Sequence, residues 1–215
     1  MNTKSFAAIC FIFIGTLSVS AQVITKDTYA KNQITFGIGI ANGFEKHIFN
    51  VQEDEAVKTA LAMNLSYLHF LNKKIGLGGR AYGYTKTFSD LILTDEQGST
   101  YKPKFTLVAV SLCAEGVYIF SQEKFQPYAT LLLGYTLGEV SSDETGSLEH
   151  YGFAVGGGVG ARYVFKSWAI SLELSGLIGK SNWSETPFLN SKGRDFDPSM
   201  ISIMAGVSSL WGRGK

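Results

Sequence analysis

After its first thirty residues, the chain consists mainly of segments in which apolar residues alternate with small or polar ones. The clearest is 150–165, where most positions between the large apolar residues hold glycine or alanine. Because successive side chains of a β-strand point to opposite faces, this two-residue period predicts strands. We predict eight of them, at 33–43, 57–71, 75–88, 104–120, 126–140, 150–165, 168–179 and 199–211.

The connections between these segments alternate between long and short. Long polar connections are predicted at 44–56, 89–103, 141–149 and 180–197, and tight turns at 72–74, 121–125 and 166–167. Tight turns join antiparallel neighbours. The chain is therefore predicted to be all-β, with an antiparallel up-and-down topology.

The composition of the two strand faces distinguishes a soluble barrel from a membrane barrel. A soluble barrel such as a lipocalin keeps its bulky apolar face inside and needs a charged surface outside. Here the second face is mostly Gly, Ala, Ser and Thr, which suits the crowded lumen of a narrow barrel. We therefore predict an eight-stranded transmembrane β-barrel with its apolar face toward lipid. The predicted strands are long enough for the roughly 9–11 residues that cross a bilayer on a tilt.

Aromatic residues lie near both ends of the predicted strands. Interfacial aromatic girdles of this kind border the lipid-facing belt of membrane barrels. The girdle predicted near the tight turns contains Tyr67, Phe120, Phe165, Trp168 and Trp211. The girdle predicted near the long loops contains Tyr135, Tyr151 and Phe153.

The first 21 residues have the composition of a secretory signal peptide. Lys4 precedes an apolar stretch that ends near Leu17, and small residues precede a cleavage point after Ala21. A retained membrane anchor is the alternative, but the apolar stretch is shorter than the roughly 20 residues that a spanning helix needs. We predict a short periplasmic lead-in at 22–32, the barrel at 33–211 and a tail at 212–215.

The charge balance gives no reason to expect nucleic acid as a partner, and the cysteine count predicts no disulfide. Removal of residues 1–21 takes one Lys and no acid, which leaves 18 basic and 18 acidic residues. A chain without net charge gives no electrostatic reason to expect nucleic acid binding. Cys113 is the only cysteine outside the predicted signal, so no intramolecular disulfide is expected in an exported protein.

Four charged residues fall on the predicted lumenal face: Arg80, Glu115, Arg162 and Glu173. Counted from the tight turns, Arg80 and Glu115 lie at equal depths, and Arg162 lies diagonal to Glu173 across a hairpin. An isolated buried charge is costly, so we predict an Arg/Glu network that holds the barrel together and blocks the lumen. A proton or ion path is the alternative.

Sequence motifs for catalysis are absent. No HExxH, CxxC, GxSxG or phosphate-loop pattern occurs, and the glycines at 156–160 lie within a predicted strand. His47 and His150 lie at the long-loop end, where Ser89, Asp90 and Glu149 could join them as a Ser–His–acid site. The acidic residues at 53–55 and 142–149 could bind Ca²⁺, although a solvated loop is the simpler interpretation. No cofactor is expected.

These features resemble the small outer-membrane β-barrel families of Gram-negative bacteria. The OmpX and OmpA transmembrane-barrel type and the PorT-like outer membrane protein β-barrel group are similar over about residues 33–211. The resemblance implies multi-pass insertion in the outer membrane, periplasmic turns and extracellular loops. One departure is that Gly-Arg-Gly-Lys follows Trp211, where such barrels usually end on an aromatic residue that the assembly machinery reads.

The function expected from these observations is non-enzymatic. We expect a monomeric barrel with a plugged lumen and a structural, binding or adhesion role. Its four extracellular loops would contact lipopolysaccharide, a protein or a host surface. The alternatives are a lipid A-modifying enzyme, by acyl transfer or deacylation, and a small-solute channel.

Overall fold

The computed structural model describes residues 29–43, 60–88, 93–94, 100–101, 105–142, 146–183 and 199–214. Eight long strands and one short hairpin make up most of this part of the chain. In chain order the strands are β1 (Tyr29–Gly43), β2 (Ala60–Phe70), β3 (Ile75–Phe88), β4 (Leu93–Thr94), β5 (Thr100–Tyr101), β6 (Phe105–Ile119), β7 (Phe125–Ser142), β8 (Gly146–Val164), β9 (Trp168–Trp183) and β10 (Met200–Gly214).

The eight long strands form a closed antiparallel barrel in the order β1-β10-β9-β8-β7-β6-β3-β2, which confirms the predicted fold class. A path along paired residues leaves β1 at Gly43 and returns to it at Gln33, ten residues away. This stagger requires the strands to tilt against the barrel axis. The short strands β4 and β5 pair only with each other.

The two strand faces separate with the predicted two-residue period on the long strands. On β7, Leu131 and Leu133 are exposed, whereas Leu132 between them is buried in the lumen. Large side chains also point inward, most clearly Tyr82 and Tyr84 on β3 and Tyr128 on β7, which are buried. The expectation that small residues face inward is wrong at these positions.

The barrel has two different ends. At the turn end, the chain reverses at 71–74, 120–124 and 165–167. At the loop end lie the ends of β1, β3, β7 and β9, each of which continues into a connection outside the described residues. The positions of the three tight turns agree with the sequence prediction to within one or two residues.

Several strands extend further than predicted. Strand β1 includes residues 29–32 of the predicted lead-in, and β10 includes residues 212–214 of the predicted tail. Most of the predicted loop at 141–149 is strand, because β7 and β8 remain paired as far as Ser142 and Gly146. Main-chain pairing does not require apolar side chains, so the apolar alternation marks the lipid-facing belt and not the end of a strand.

The lumen contains two apolar clusters. The turn-end cluster consists of Leu68, Phe70, Val117, Ile119 and Tyr128. The loop-end cluster is larger and consists of Ala41, Ala60, Ala62, Tyr82, Tyr84, Leu107, Ala109, Cys113, Leu132, Ala154, Leu177, Met200 and Met204. Inward-facing polar residues lie between these two clusters. Across the described ranges, no helix is long and apolar enough to span a membrane.

Candidate functional site

The most polar part of the lumen is a group that we call the charged layer, formed by Arg80, Glu115, Glu173 and Tyr128. Arg80 donates from Nη2 to Glu115 Oε1 at 2.5 Å and to Glu173 Oε2 at 3.1 Å. Its Nη1 donates to Glu173 Oε1, so the contact with Glu173 is bidentate. Tyr128 donates its hydroxyl to Glu173 Oε2 at 3.1 Å. One guanidinium therefore bridges two buried carboxylates, and one of them, Glu173, also accepts from a tyrosine.

The strands that carry these residues make the charged layer a connection across the lumen. Arg80 lies on β3 and Glu173 on β9, and these strands are four positions apart in either direction around the barrel. Glu115 lies on β6, next to β3. The bidentate ion pair thus joins opposite walls, whereas the Arg80–Glu115 pair joins neighbouring strands.

The expected depth match between Arg80 and Glu115 requires a correction in register. Arg80 pairs with Cys113, and Glu115 pairs with Gly78, two residues from the predicted alignment. Counting from the tight turns assumes that the turns lie at one level, but the tilt of the strands staggers neighbours. Long side chains still reach a diagonal partner, and the Arg80–Glu115 ion pair forms.

Arg162 lies closer to the turn end and has different partners from those expected. It pairs in register with Ser171, as predicted, but it makes no ion pair with Glu173 within the described ranges. Its Nε donates to Gln126 Oε1 at 2.8 Å, its Nη1 donates to Gln33 Oε1, and its Cζ lies 5.4 Å from the centre of the Phe70 ring. Glu173 is occupied by Arg80, so two amide oxygens and a ring face solvate the Arg162 charge.

The aromatic residues expected to form girdles lie at the two ends of the barrel. All of them are exposed except Trp211, which is half-buried. At the turn end, the Phe165 and Trp168 rings stack with their centroids 3.9 Å apart. The ring centroids of Tyr67 and Trp211 lie 6.3 Å apart. At the loop end, Tyr135 contacts Tyr151 and Phe153. Tyr118 and Tyr163 add further rings at the turn end, where they contact Phe120 and Phe165. Exposed aliphatic residues lie between these two groups.

Comparison with known proteins identifies this architecture. A family model described as "Outer membrane protein beta-barrel domain" matches residues 9–208. The chain belongs to this family. Membership makes it a transmembrane β-barrel of the bacterial outer membrane, and its exposed aliphatic belt is the surface that contacts lipid. No curated protein sequence matches the chain significantly.

Two solved outer-membrane barrels illustrate the likeness of fold. The crystal structure of Neisserial surface protein A has a TM-score of 0.56 and 12% identity, covering 86% of this chain and 100% of that chain. The crystal structure of OprG from Pseudomonas aeruginosa has a TM-score of 0.52 and 14% identity, covering 84% of this chain and 96% of that chain. At these identities the likeness concerns the fold alone.

Most residues of the suggested lipid-modifying site lie outside the described part of this outer-membrane barrel. These are His47, Ser89 and Asp90. The backbone of His150 is described and lies on β8, where it pairs with Gly138 and Trp183. In the described ranges, no three His, Cys, Asp or Glu side chains gather closely enough to bind a metal ion. The acidic residues at 53–55 are also outside the described part.

The sequence pattern does not distinguish three polar residues of the lumen. Tyr128 lies within a predicted strand and has no predicted role, although it donates to Glu173. Gln33 and Gln126 begin predicted strands, yet both accept from Arg162. Their inward parity on predicted strands was a usable signal, because an amide on a lumenal face needs a partner. The particular partner depends on contacts across the lumen, which strand parity does not give.

Proposed function

We propose that this protein is a non-enzymatic outer-membrane barrel with a closed lumen, and that it acts through the connections at its loop end. In this proposal residues 1–21 are a signal peptide that is removed on export, and the turn end faces the periplasm. The loop end then faces the cell exterior, where its four connections bind lipopolysaccharide, a protein or a host surface.

The observation that carries the proposal is the filling of the lumen. The charged layer joins opposite walls through Arg80 and Glu173, and an apolar cluster packs on each side of it. Eight-stranded barrels have interiors just wide enough for side chains to fill. A solute or an ion would have to displace a bidentate ion pair and pass two layers of apolar side chains. With the lumen closed, the loop end is the part of the protein left for recognition.

Planar bilayer recording tests whether the lumen is closed. We expect no stepwise conductance from the purified barrel, in bilayers where a known porin inserted under the same conditions gives discrete steps. Reproducible steps from the unmodified barrel would contradict a closed lumen and would favour the small-solute channel.

Binding at the cell surface tests the role of the loop end. We expect cells that carry the barrel to retain purified lipopolysaccharide or a labelled surface protein. We expect that retention to be lost when the connections at 44–59, 89–104 and 184–199 are each replaced by a short Gly-Asn-Gly linker. Heat-modifiable migration in detergent gels should persist in these variants, because the barrel strands are unchanged. Unchanged retention after replacement would contradict the proposal.

Lipid A analysis tests the absence of catalysis. We expect the acyl pattern of lipid A to be the same in cells with and without the protein. A changed acyl pattern that returned to normal with His47→Ala or His150→Ala would overturn the non-enzymatic proposal and establish the lipid-modifying alternative.

A further inference from the structure

A small cavity lies beside the charged layer. Its volume is about 30 Å³. Both kinds of lumenal residue border it, since it touches the charged layer, Met204 of the loop-end cluster and Leu68 of the turn-end cluster. The polar side chains of its wall include Arg80, Glu115, Glu173, Asn64, Ser66 and Arg162.

Three residues that line this cavity each carry a polar atom without a hydrogen-bond partner within the protein. These atoms are Asn64 Oδ1, Arg80 Nε and Glu115 Oε2. Their residues are only 7%, 6% and 3% exposed, so bulk solvent does not reach these side chains freely. A buried polar group without a partner costs roughly 1–3 kcal/mol. Three such groups around one cavity therefore point to a bound species that satisfies them.

The chemistry of the three atoms selects the species. Two of them are acceptors and one, Arg80 Nε, is a donor. A water molecule can donate to both acceptors and accept from the donor, whereas a metal cation leaves the N–H of Arg80 without an acceptor. The charged residues around the cavity also balance, because Arg80 and Arg162 offset Glu115 and Glu173. No net negative charge remains to hold a cation.

We propose that this cavity is an internal water site, and that its water completes the charged layer by bonding Asn64, Arg80 and Glu115. A water molecule needs about 10–15 Å³ of cavity volume and typically makes about three hydrogen bonds. The cavity of about 30 Å³ therefore holds one or two waters. The site links β2 and β6 to β3 through water, in addition to the direct ion pairs.

A high-resolution crystal structure of the barrel tests the site directly. We expect density for at least one water within hydrogen-bonding distance, about 2.7–3.2 Å, of two or more of the three atoms. Crystals soaked in thallium acetate distinguish water from a monovalent cation, because Tl⁺ scatters anomalously. We expect no anomalous peak in the cavity. An empty cavity or a Tl⁺ peak there would each overturn the proposal.

Water relaxation measurements in detergent micelles provide a second test through a variant. Asn64→Leu replaces the amide by an apolar side chain of similar size, so we expect the number of long-lived internal waters to fall by one or two. Thr136→Val is the control, because Thr136 is also buried and polar but lies outside the cavity wall. An unchanged count in Asn64→Leu would contradict the site, and an equal fall in both variants would show that the loss is not specific to it. If Asn64→Leu does not fold, the crystallographic test on the unmodified barrel stands alone.

Discussion

At the scale of single residues, Arg80 is the most consequential side chain in the lumen. It is the cation shared by Glu115 and Glu173, and its contacts reach both a neighbouring strand and the opposite wall. A buried ion pair is not by itself evidence of high stability, because desolvation offsets the attraction between the charges. Removing one partner is a different matter, since it leaves the other charge buried alone.

Arg80→Ala should therefore destabilise the barrel more than either carboxylate variant. We expect a loss of roughly 3–5 kcal/mol in the free energy of unfolding, because two buried carboxylates lose their shared cation. Glu173→Ala should cost less, since Arg80 keeps its ion pair with Glu115. Denaturant unfolding in vesicles measures both.

The double variant measures the coupling free energy between Arg80 and Glu173. Arg80→Ala with Glu173→Ala should cost less than the two single losses combined, by about 0.5–3 kcal/mol. Lys74→Ala at the exposed turn is the control and should change stability by less than about 0.5 kcal/mol. Strictly additive losses would argue against a functional ion pair across the lumen.

Glycines of β3 give a second prediction at this scale. A Cβ at Gly78 would overlap the main-chain carbonyl oxygen of Tyr67, which cannot easily move. A Cβ at Gly83, on the lipid face of the same strand, would meet Ala109 O only at 3.8 Å. In detergent gels of samples heated to increasing temperatures, Gly78→Ala should lower the temperature at which the band of folded protein disappears. Gly83→Ala should leave that temperature unchanged. Equal effects would contradict this close approach of β2 and β3.

The face on which a residue lies was predictable from the sequence, because alternation along a strand decides it. The partner of each lumenal residue was not predictable. Parity alone placed Arg80, Glu115, Arg162 and Glu173 on the lumenal face, where the structure has them. Their pairing depends on which strands face each other across the barrel. Chain order identifies neighbouring strands, which brings Glu115 within reach of Arg80, but it does not show that Glu173 lies on the wall opposite Arg80.

At the scale of elements, hydropathy located the strands but underestimated the length of five of them, β1 and β7 to β10. The β7–β8 hairpin extends past its apolar positions to Ser142 and Gly146, because hydrogen bonding between strands continues where the side chains become polar. The lumenal face also carries large side chains that the alternation did not predict, such as Tyr82 and Tyr84 of β3. All eight strands fill the same narrow lumen, so the size of the inward side chains on one strand depends on those of the others. The sequence of a single strand therefore does not predict it.

Depth along β7 should set the cost of a charge on the lipid face. Leu131→Arg places a guanidinium in the aliphatic belt, and we expect a loss of about 2–4 kcal/mol in the free energy of unfolding from vesicles. Leu137→Arg is the matched control, because Leu137 pairs with Tyr151 at the loop-end aromatic group. Near the interface the same charge should cost only about 0–1 kcal/mol. Equal costs at both depths would contradict the position of the belt.

At the scale of the whole molecule, closure of the sheet explains why the two faces have opposite chemistry. A closed barrel leaves no strand edge unpaired, which a membrane requires. Closure also brings β3 and β9 to opposite walls of one narrow lumen. The alternation in the sequence predicted the closed sheet. The distances across it follow from strand number and stagger, which only the assembled barrel fixes.

The most direct test of this account measures the surroundings of successive residues on β7. Single cysteines at 129–137, in a Cys113→Ala background, carry a nitroxide label in lipid vesicles. Collision with molecular oxygen, which concentrates in lipid, should be high at the odd-numbered residues from Ala129 to Leu137 and low at the even-numbered residues between them. A water-soluble nickel reagent should reach neither set in the belt. High oxygen access at the even-numbered residues, or nickel access at the odd-numbered ones, would contradict a barrel that turns its apolar face to lipid.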